Sequence, residues 1–116
     1  MPASDAPGEE WGRLAISIPD WRWLPGALDQ KNRRYHVTVP HELCDAVWPD
    51  PDDPATEGCL LRLLGHGAED LTLGDLRNDG TWAWLWWDGE SWRSLSLGRA
   101  CIAAAAAIGR WPGGAA

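Results

Sequence analysis

The sequence predicts an α+β fold: an antiparallel sheet of about four or five strands with helices mainly on one face. Three observations carry this. Thr81–Leu97 (TWAWLWWDGESWRSLSL) reads as a hairpin and holds five of the ten tryptophans. Its Asp88-Gly89 is a two-residue loop of the kind that needs positive φ, between β-favouring runs. Leu14–Ile18 and Arg33–Val39 alternate apolar and polar residues, which is the strand period. Residues 54–64 and 98–108 carry apolar side chains at helical spacing, each run with its own start and stop signals.

Taken in order, MPASDAPGEE is polar and rich in breakers, so residues 1–10 are expected to be flexible. One α+β domain is expected over 11–116, made of an N-terminal hairpin with a short helix (11–48) and an α-β-β-β-α unit (53–110). Leu14, Ile16 and Ile18 alternate with Ala15 and Ser17, and Pro19 ends that strand. Pro19–Gly26 is a loop in which Trp21 and Trp23 flank Arg22. In Arg33–Val39, Tyr35, Val37 and Val39 share one face and Arg34, His36 and Thr38 the other, and this strand is expected to pair antiparallel with the first. Pro40 opens a helical turn over HELCDAVW, with Leu43 and Val47 four apart.

Pro49–Asp53 is a break. Asp53 suits an N-cap and Pro54 the first helical position. The helix Pro54–Leu64 has Cys59, Leu60, Leu63 and Leu64 as its apolar face, and Gly65 and Gly67 stop it. A strand over Asp70–Asp75 follows, then a turn at Asn78-Asp79-Gly80. The last helix, Gly98–Ile108, ends at Gly109 and buries Cys101, Ile102, Ala105 and Ile108.

Strand alternation sorts the hairpin into two faces. Trp82, Trp84, Trp86, Ser91, Arg93, Leu95 and Leu97 lie on one. Ala83, Leu85, Trp87, Glu90, Trp92, Ser94 and Ser96 lie on the other. The first has more apolar bulk and is assigned to the core. On the second, either the N-terminal part covers Leu85, Trp87 and Trp92, or Trp87 and Trp92 form an exposed aromatic platform for a partner.

Composition narrows the function. Ten basic against seventeen acidic residues give a net charge of −7, which disfavours direct binding to nucleic acid or to an anionic membrane. Three cysteines, Cys44, Cys59 and Cys101, are an odd number at no framework spacing, which points to reduced thiols. The start lacks a basic-then-apolar leader, and the apolar run Cys101–Ile108 is too short to span a bilayer. A cytoplasmic protein is expected. Glu42, Asp45, Asp50, Asp52, Asp53 and Glu57 form an acidic stretch, and Arg22, Lys31, Arg33 and Arg34 a basic one.

The chemistry-bearing motifs are weak. His41, Cys44, Cys59 and His66 are not two tight zinc-ligand pairs, and Cys59 falls on an apolar stripe. Asp50, Asp52, Asp53 and Glu57 offer carboxylates, but at no calcium-loop spacing, and a capped helix start explains them better. No nucleophile elbow or phosphate loop is present. No cofactor and no enzymatic activity are expected. Trp84 and Arg93 fall directly opposite each other, which suits either hairpin stability or a stacking clamp for a nucleotide-like ring.

From Pro54 onward the order α-β-β-β-α, ending in an Ala-rich helix directly after a strand, resembles the double-stranded-RNA-binding domain fold. That family contacts RNA phosphates through basic residues at the start of its last helix. Here Gly98-Arg99-Ala100-Cys101 supplies one Arg, and Asp88 and Glu90 supply no base, so RNA binding is not carried over. Asp53–Leu61 (DPATEGCLL) is similar to a DPAT-x-GCLL segment of small uncharacterised phage and prophage proteins, in which a Trp-containing hairpin and an Ala-rich helix follow. That resemblance implies an origin in a phage or mobile element.

The expected function is a non-enzymatic binding protein that antagonises a host defence system by occluding a protein surface. Leu85, Trp87 and Trp92 would anchor it, with Asp50, Asp52 and Asp53 supplying charge. The alternative is a sequestrant of a nucleotide-like ligand through Trp84, Arg93, Trp21, Arg22 and Trp23. A structural or assembly component is a third reading, and a Trp-rich surface would favour a homodimer.

Overall fold

Every residue from Gly98 to Ala105 in the last helix is buried, and this explains its run of alanines: small side chains let neighbours close in on several sides of a helix at once. The computed structural model describes residues 2–3, 5–40, 47–64, 71–73, 83–87, 90–94 and 96–115, with the segments between 71 and 94 described by backbone alone. Among them are helices α1 (Gly8–Ser17), α2 (Pro54–Leu64) and α3 (Leu97–Ile108). Strands β1 (Arg22–Trp23) and β2 (Val39–Pro40) form a two-stranded ribbon. Strands β3 (Leu71–Leu73), β4 (Ala83–Trp87) and β5 (Glu90–Ser94) form a separate antiparallel sheet in the order β3-β4-β5. A 3-10 turn over Pro112–Ala115 follows α3. Helix α3 packs against α1, against α2 and against β4 and β5.

Among the described residues the strands therefore form a two-stranded ribbon and a three-stranded sheet, not the single sheet of four or five strands expected. The reason lies in the N-terminal third. Leu14–Ile18, read as a strand, belongs mostly to α1. Five alternating residues are too short a window, and over a longer one Trp11, Leu14, Ala15 and Ile18 recur at helical spacing. Pro7 enters in an extended conformation and Glu9 and Glu10 sit in the first turn, where the helix dipole favours them. Within the N-terminal segment, Trp11 Nε1 donates to the Ala3 carbonyl at 3.0 Å and Ala6 is buried.

With Leu14–Ile18 in a helix, the expected strand pairing has no partner. Trp23 pairs instead with Val39, and Arg22 with Pro40. Between them the chain folds around Asp29, which is buried yet satisfied. Its Oδ1 accepts the Lys31 and Arg33 N–H groups at 2.9 and 3.0 Å. Its Oδ2 accepts Arg33 Nε–H at 2.9 Å and the Tyr35 hydroxyl at 3.2 Å. The helical turn expected after Pro40 lies mostly outside the described residues.

Gly12 marks how closely α1 approaches the 48–49 segment. A Cβ there would lie 2.5 Å from the Pro49 carbonyl oxygen and 2.6 Å from the Trp48 ring. Gly12→Ala is expected to destabilise by about 1–3 kcal/mol through overpacking. Gly58→Ala on α2, where a Cβ meets nothing within 4 Å, should stabilise by up to about 1 kcal/mol through helix propensity. Urea denaturation of the two variants checks the contrast.

Helix α2 begins where Asp53 and Pro54 predict, and buries Thr56, Cys59, Leu60, Leu63 and Leu64. Helix α3 is capped by the Ser96 hydroxyl, which accepts the Arg99 N–H at 3.3 Å, and closes on Gly109 in the left-handed region at φ 95°. Of its expected stripe, Cys101, Ile102 and Ala105 are buried, but Ile108 is 36% exposed because it lies one turn beyond the packed stretch.

Candidate functional site

Three groups of residues were candidates, and they fare differently. The Trp21-Arg22-Trp23 group is not a ligand-stacking surface. Both indoles are core, with Trp23 fully buried and Trp21 nearly so. Trp21 meets Trp23 edge-on at 5.4 Å and Trp111 at 5.7 Å, while Trp23 stacks on Tyr35 at 4.5 Å. Trp111 closes the cluster, its Nε1 donating to the Ala15 carbonyl at 3.0 Å. Arg22 lies between them on β1 and is half-buried.

The acidic segment is engaged inside the molecule. Asp50 Oδ1 accepts the Asp52 N–H at 3.0 Å. Asp52 forms a two-pronged pair with Arg99, Nε to Oδ1 at 3.0 Å and Nη2 to Oδ2 at 2.9 Å. Arg99 Nη1 also donates to the Ala6 carbonyl, so one guanidinium at 6% exposure joins α3, the Asp52 loop and the N-terminal segment. Asp53 caps α2 through the Thr56 N–H and hydroxyl, both at 3.0 Å. It also accepts Arg34 Nη1 at 2.7 Å, and the Thr56 hydroxyl oxygen accepts the Leu28 N–H at 2.9 Å. Asp52 and Asp53 thus act as structural anions rather than as free charge for a partner. A lone Arg in the first turn of an Ala-rich helix, where the dipole opposes it, was the signal that an acidic partner was near.

Burial tends to raise these carboxyls, and hydrogen bonds oppose it. For Asp52 the Arg99 and Ser96 bonds win, and for Asp53 the Arg34 and Thr56 bonds win, so both lie below the usual carboxylate range. Asp29 is lowered in the same way, chiefly by the Arg33 N–H. Glu57 goes the other way. Burial raises it, the Gly98 N–H at 3.1 Å only partly compensates, and the Asp52 charge adds to the rise. The lowered aspartates contribute stability that is present above their unfolded pKa and lost as pH falls through the folded values. Glu57 contributes stability that is present below its unfolded pKa and lost as pH rises through the folded value. Glu57→Gln should therefore gain thermal stability relative to the parent as pH rises above the ordinary value of 4.5, and a pair of melting series over pH 4–7 reads this directly.

Burial and the Glu57 charge push the Cys101 thiol well up, which keeps it protonated. Cys59 Sγ lies 3.3 Å from the Pro25 carbonyl oxygen. Among the described residues no group of three or more His, Cys, Asp or Glu is placed to hold a metal ion. Cys44, His41 and His66 lie outside the described residues. No described helix is long and apolar enough to cross a membrane.

The hairpin is present in backbone terms. Ala83, Trp84, Leu85, Trp86 and Trp87 pair with Ser94, Arg93, Trp92, Ser91 and Glu90, which leaves two residues for the connection. Strand β3 then pairs Leu71 with Trp87, Thr72 with Trp86 and Leu73 with Leu85. By strand alternation, Leu71 and Leu73 join the face of Leu85, Trp87 and Trp92, and Thr72 joins that of Trp84, Trp86, Ser91 and Arg93. The side chains of these strands, and Trp82 and Leu95 altogether, lie outside the described residues. Adding two leucines brings the second face level with the first in large apolar residues, so apolar bulk no longer distinguishes them.

An open cleft of about 460 Å³ lies between the start of α1 and the 28–32 and 48–51 segments, lined by Glu9, Trp48 and Asp50 among others. Its parts are far apart in sequence, so no local motif could reveal it. No known protein family, curated protein or solved structure matches this chain.

Proposed function

We propose that the chain is a non-enzymatic binding protein that occludes a surface of a partner protein, docking through the Trp-rich sheet. The observation that carries this is the sheet's position. Helix α3 packs on β4 and β5, so it meets one face of the sheet. Trp84 and Trp86 hold register positions on one face, and Trp87 and Trp92 on the other. Since these register positions alternate, one pair of tryptophans is expected on the face turned away from α3. Paired aromatics are the usual energetic centre of a protein interface. The similarity of Asp53–Leu61 to a phage-protein segment supports a role against a host defence system. Asp52 and Asp53 carry no part of this reading, since they are held by Arg99 and Arg34.

Two double variants test the reading, Trp84→Ser with Trp86→Ser, and Trp87→Ser with Trp92→Ser. The pair on the α3 side should lower the melting temperature strongly. The other should leave it within about 2 °C, as a surface change does, and abolish retention of the partner in native mass spectrometry of protein recovered from host cells. If both pairs unfold the protein, or the fold-preserving pair keeps the partner, the reading fails.

The second reading, a sequestrant of a nucleotide-like ligand, retains one support: Trp84 and Arg93 are direct cross-strand partners. It has lost Trp21 and Trp23 to the core. It expects saturable quenching of tryptophan fluorescence across a nucleotide panel, and a flat response removes it.

A further inference from the structure

We propose that the cleft between α1 and the 28–32 and 48–51 segments is a binding site for an alkyl cation, a guanidinium or ammonium group carried on an aliphatic stem. It stands apart from the sheet and does not depend on the docking reading. A volume of about 460 Å³ is within the range of small-ligand sites, roughly 300–1,000 Å³. Leu28, Trp48, Pro49 and Pro51 give it an apolar wall. Glu9 and Asp50 give it two carboxylates beside Asp29, whose own side chain is fully buried, and among the described residues that line it there is no Lys, Arg or His.

The carboxylates are not equivalent. Asp29 already accepts four hydrogen bonds, from Lys31, Arg33 twice and Tyr35, and has no acceptor capacity left for a ligand. Glu9 and Asp50 are less committed among the described residues: Glu9 pairs with exposed Arg13 at 3.4 Å, and Asp50 uses Oδ1 on the Asp52 N–H.

Arg13 indicates which chemistry the wall accepts. Its guanidinium sits 4.2 Å from the centre of the Trp48 ring while its Nε reaches Glu9. Arg13 does not itself line the cleft, but it shows that the Trp48 ring and the Glu9 carboxylate accept a cation, in the arrangement that aromatic recognition of cations employs. An incoming cation would use the same groups and Asp50, so Arg13 is a competitor as well as a precedent.

The test is a titration followed by ¹⁵N NMR at the Trp48 indole and at residues 9, 28 and 50. Agmatine and spermidine represent free polyamines, and a blocked Gly-Arg-Gly peptide represents a partner's side chain. The matching citrulline peptide is the neutral control. Saturable shifts confined to the cleft, with a Kd of about 1 mM or tighter, are expected for at least one cation and not for citrulline. Preference for agmatine or for the peptide identifies the source. Glu9→Gln with Asp50→Asn keeps the Asp52 N–H acceptor and should weaken binding about tenfold or more. Arg13→Gln should tighten it. No saturation by about 10 mM, equal binding of citrulline, or indifference to the carboxylate variants with the fold intact would overturn the proposal.

Discussion

Replacing Asp52 by Ala is expected to destabilise the protein by about 3 kcal/mol, the lower end of what breaking a buried ion pair costs. The loss comes from Arg99 rather than from Asp52. The Asp52 side chain is 45% exposed and rehydrates readily, but that of Arg99 is 8% exposed and keeps its charge in the core. Removing the carboxylate leaves the guanidinium without its two-pronged acceptor. Arg99→Met together with Asp52→Ala should recover part of the loss, since an apolar side chain of similar length leaves no buried charge. A double-mutant cycle in urea measures this coupling. If Asp52→Ala costs under about 0.5 kcal/mol, as at an exposed pair, the clasp does not hold the N-terminal segment, and Asp52 is free for a partner after all.

Trp23→Ala is expected to cost about 3–5 kcal/mol, the range for deleting a large buried aromatic side chain. Trp23 is fully buried, stacked on Tyr35 and met edge-on by Trp21. It also sits on the ribbon that joins the N-terminal third to the chain after Val39. A ligand-stacking tryptophan behaves in the opposite way, losing binding with little change in stability. Denaturation midpoints, with nucleotide binding measured on whatever folds, separate the two.

These residues also mark what a sequence of this kind reveals. The α2 cap was legible because Asp53-Pro54 is a local signal whose physics needs no distant partner. The hairpin register was legible because a two-residue loop dictates every pair beyond it. The N-terminal third was not. Leu14–Ile18 fits a period of two over five residues, and only the packing of α1 against α3 and of Gly12 against the 48–49 segment decides for the helix. Trp21 and Trp23 resemble a surface group because an arginine separates them, yet strand-like alternation sends both indoles inward. Asp52 and Asp53 read as a charged patch because their cationic partners, Arg99 and Arg34, lie 47 and 19 residues away. The cleft needs α1, the Asp29 turn and the 48–51 segment together, and no short stretch encodes that.

The docking reading rests on a pair of hairpin tryptophans facing away from α3. Fluorotryptophan NMR with a soluble paramagnetic probe, assigned by single Trp→Phe replacements, measures this most directly. Trp11, Trp21, Trp23 and Trp111 should be unaffected by the probe, and either Trp84 with Trp86 or Trp87 with Trp92 should broaden strongly. If Trp84, Trp86, Trp87 and Trp92 are all as protected as Trp23, both faces of the sheet are covered and it offers no aromatic docking surface.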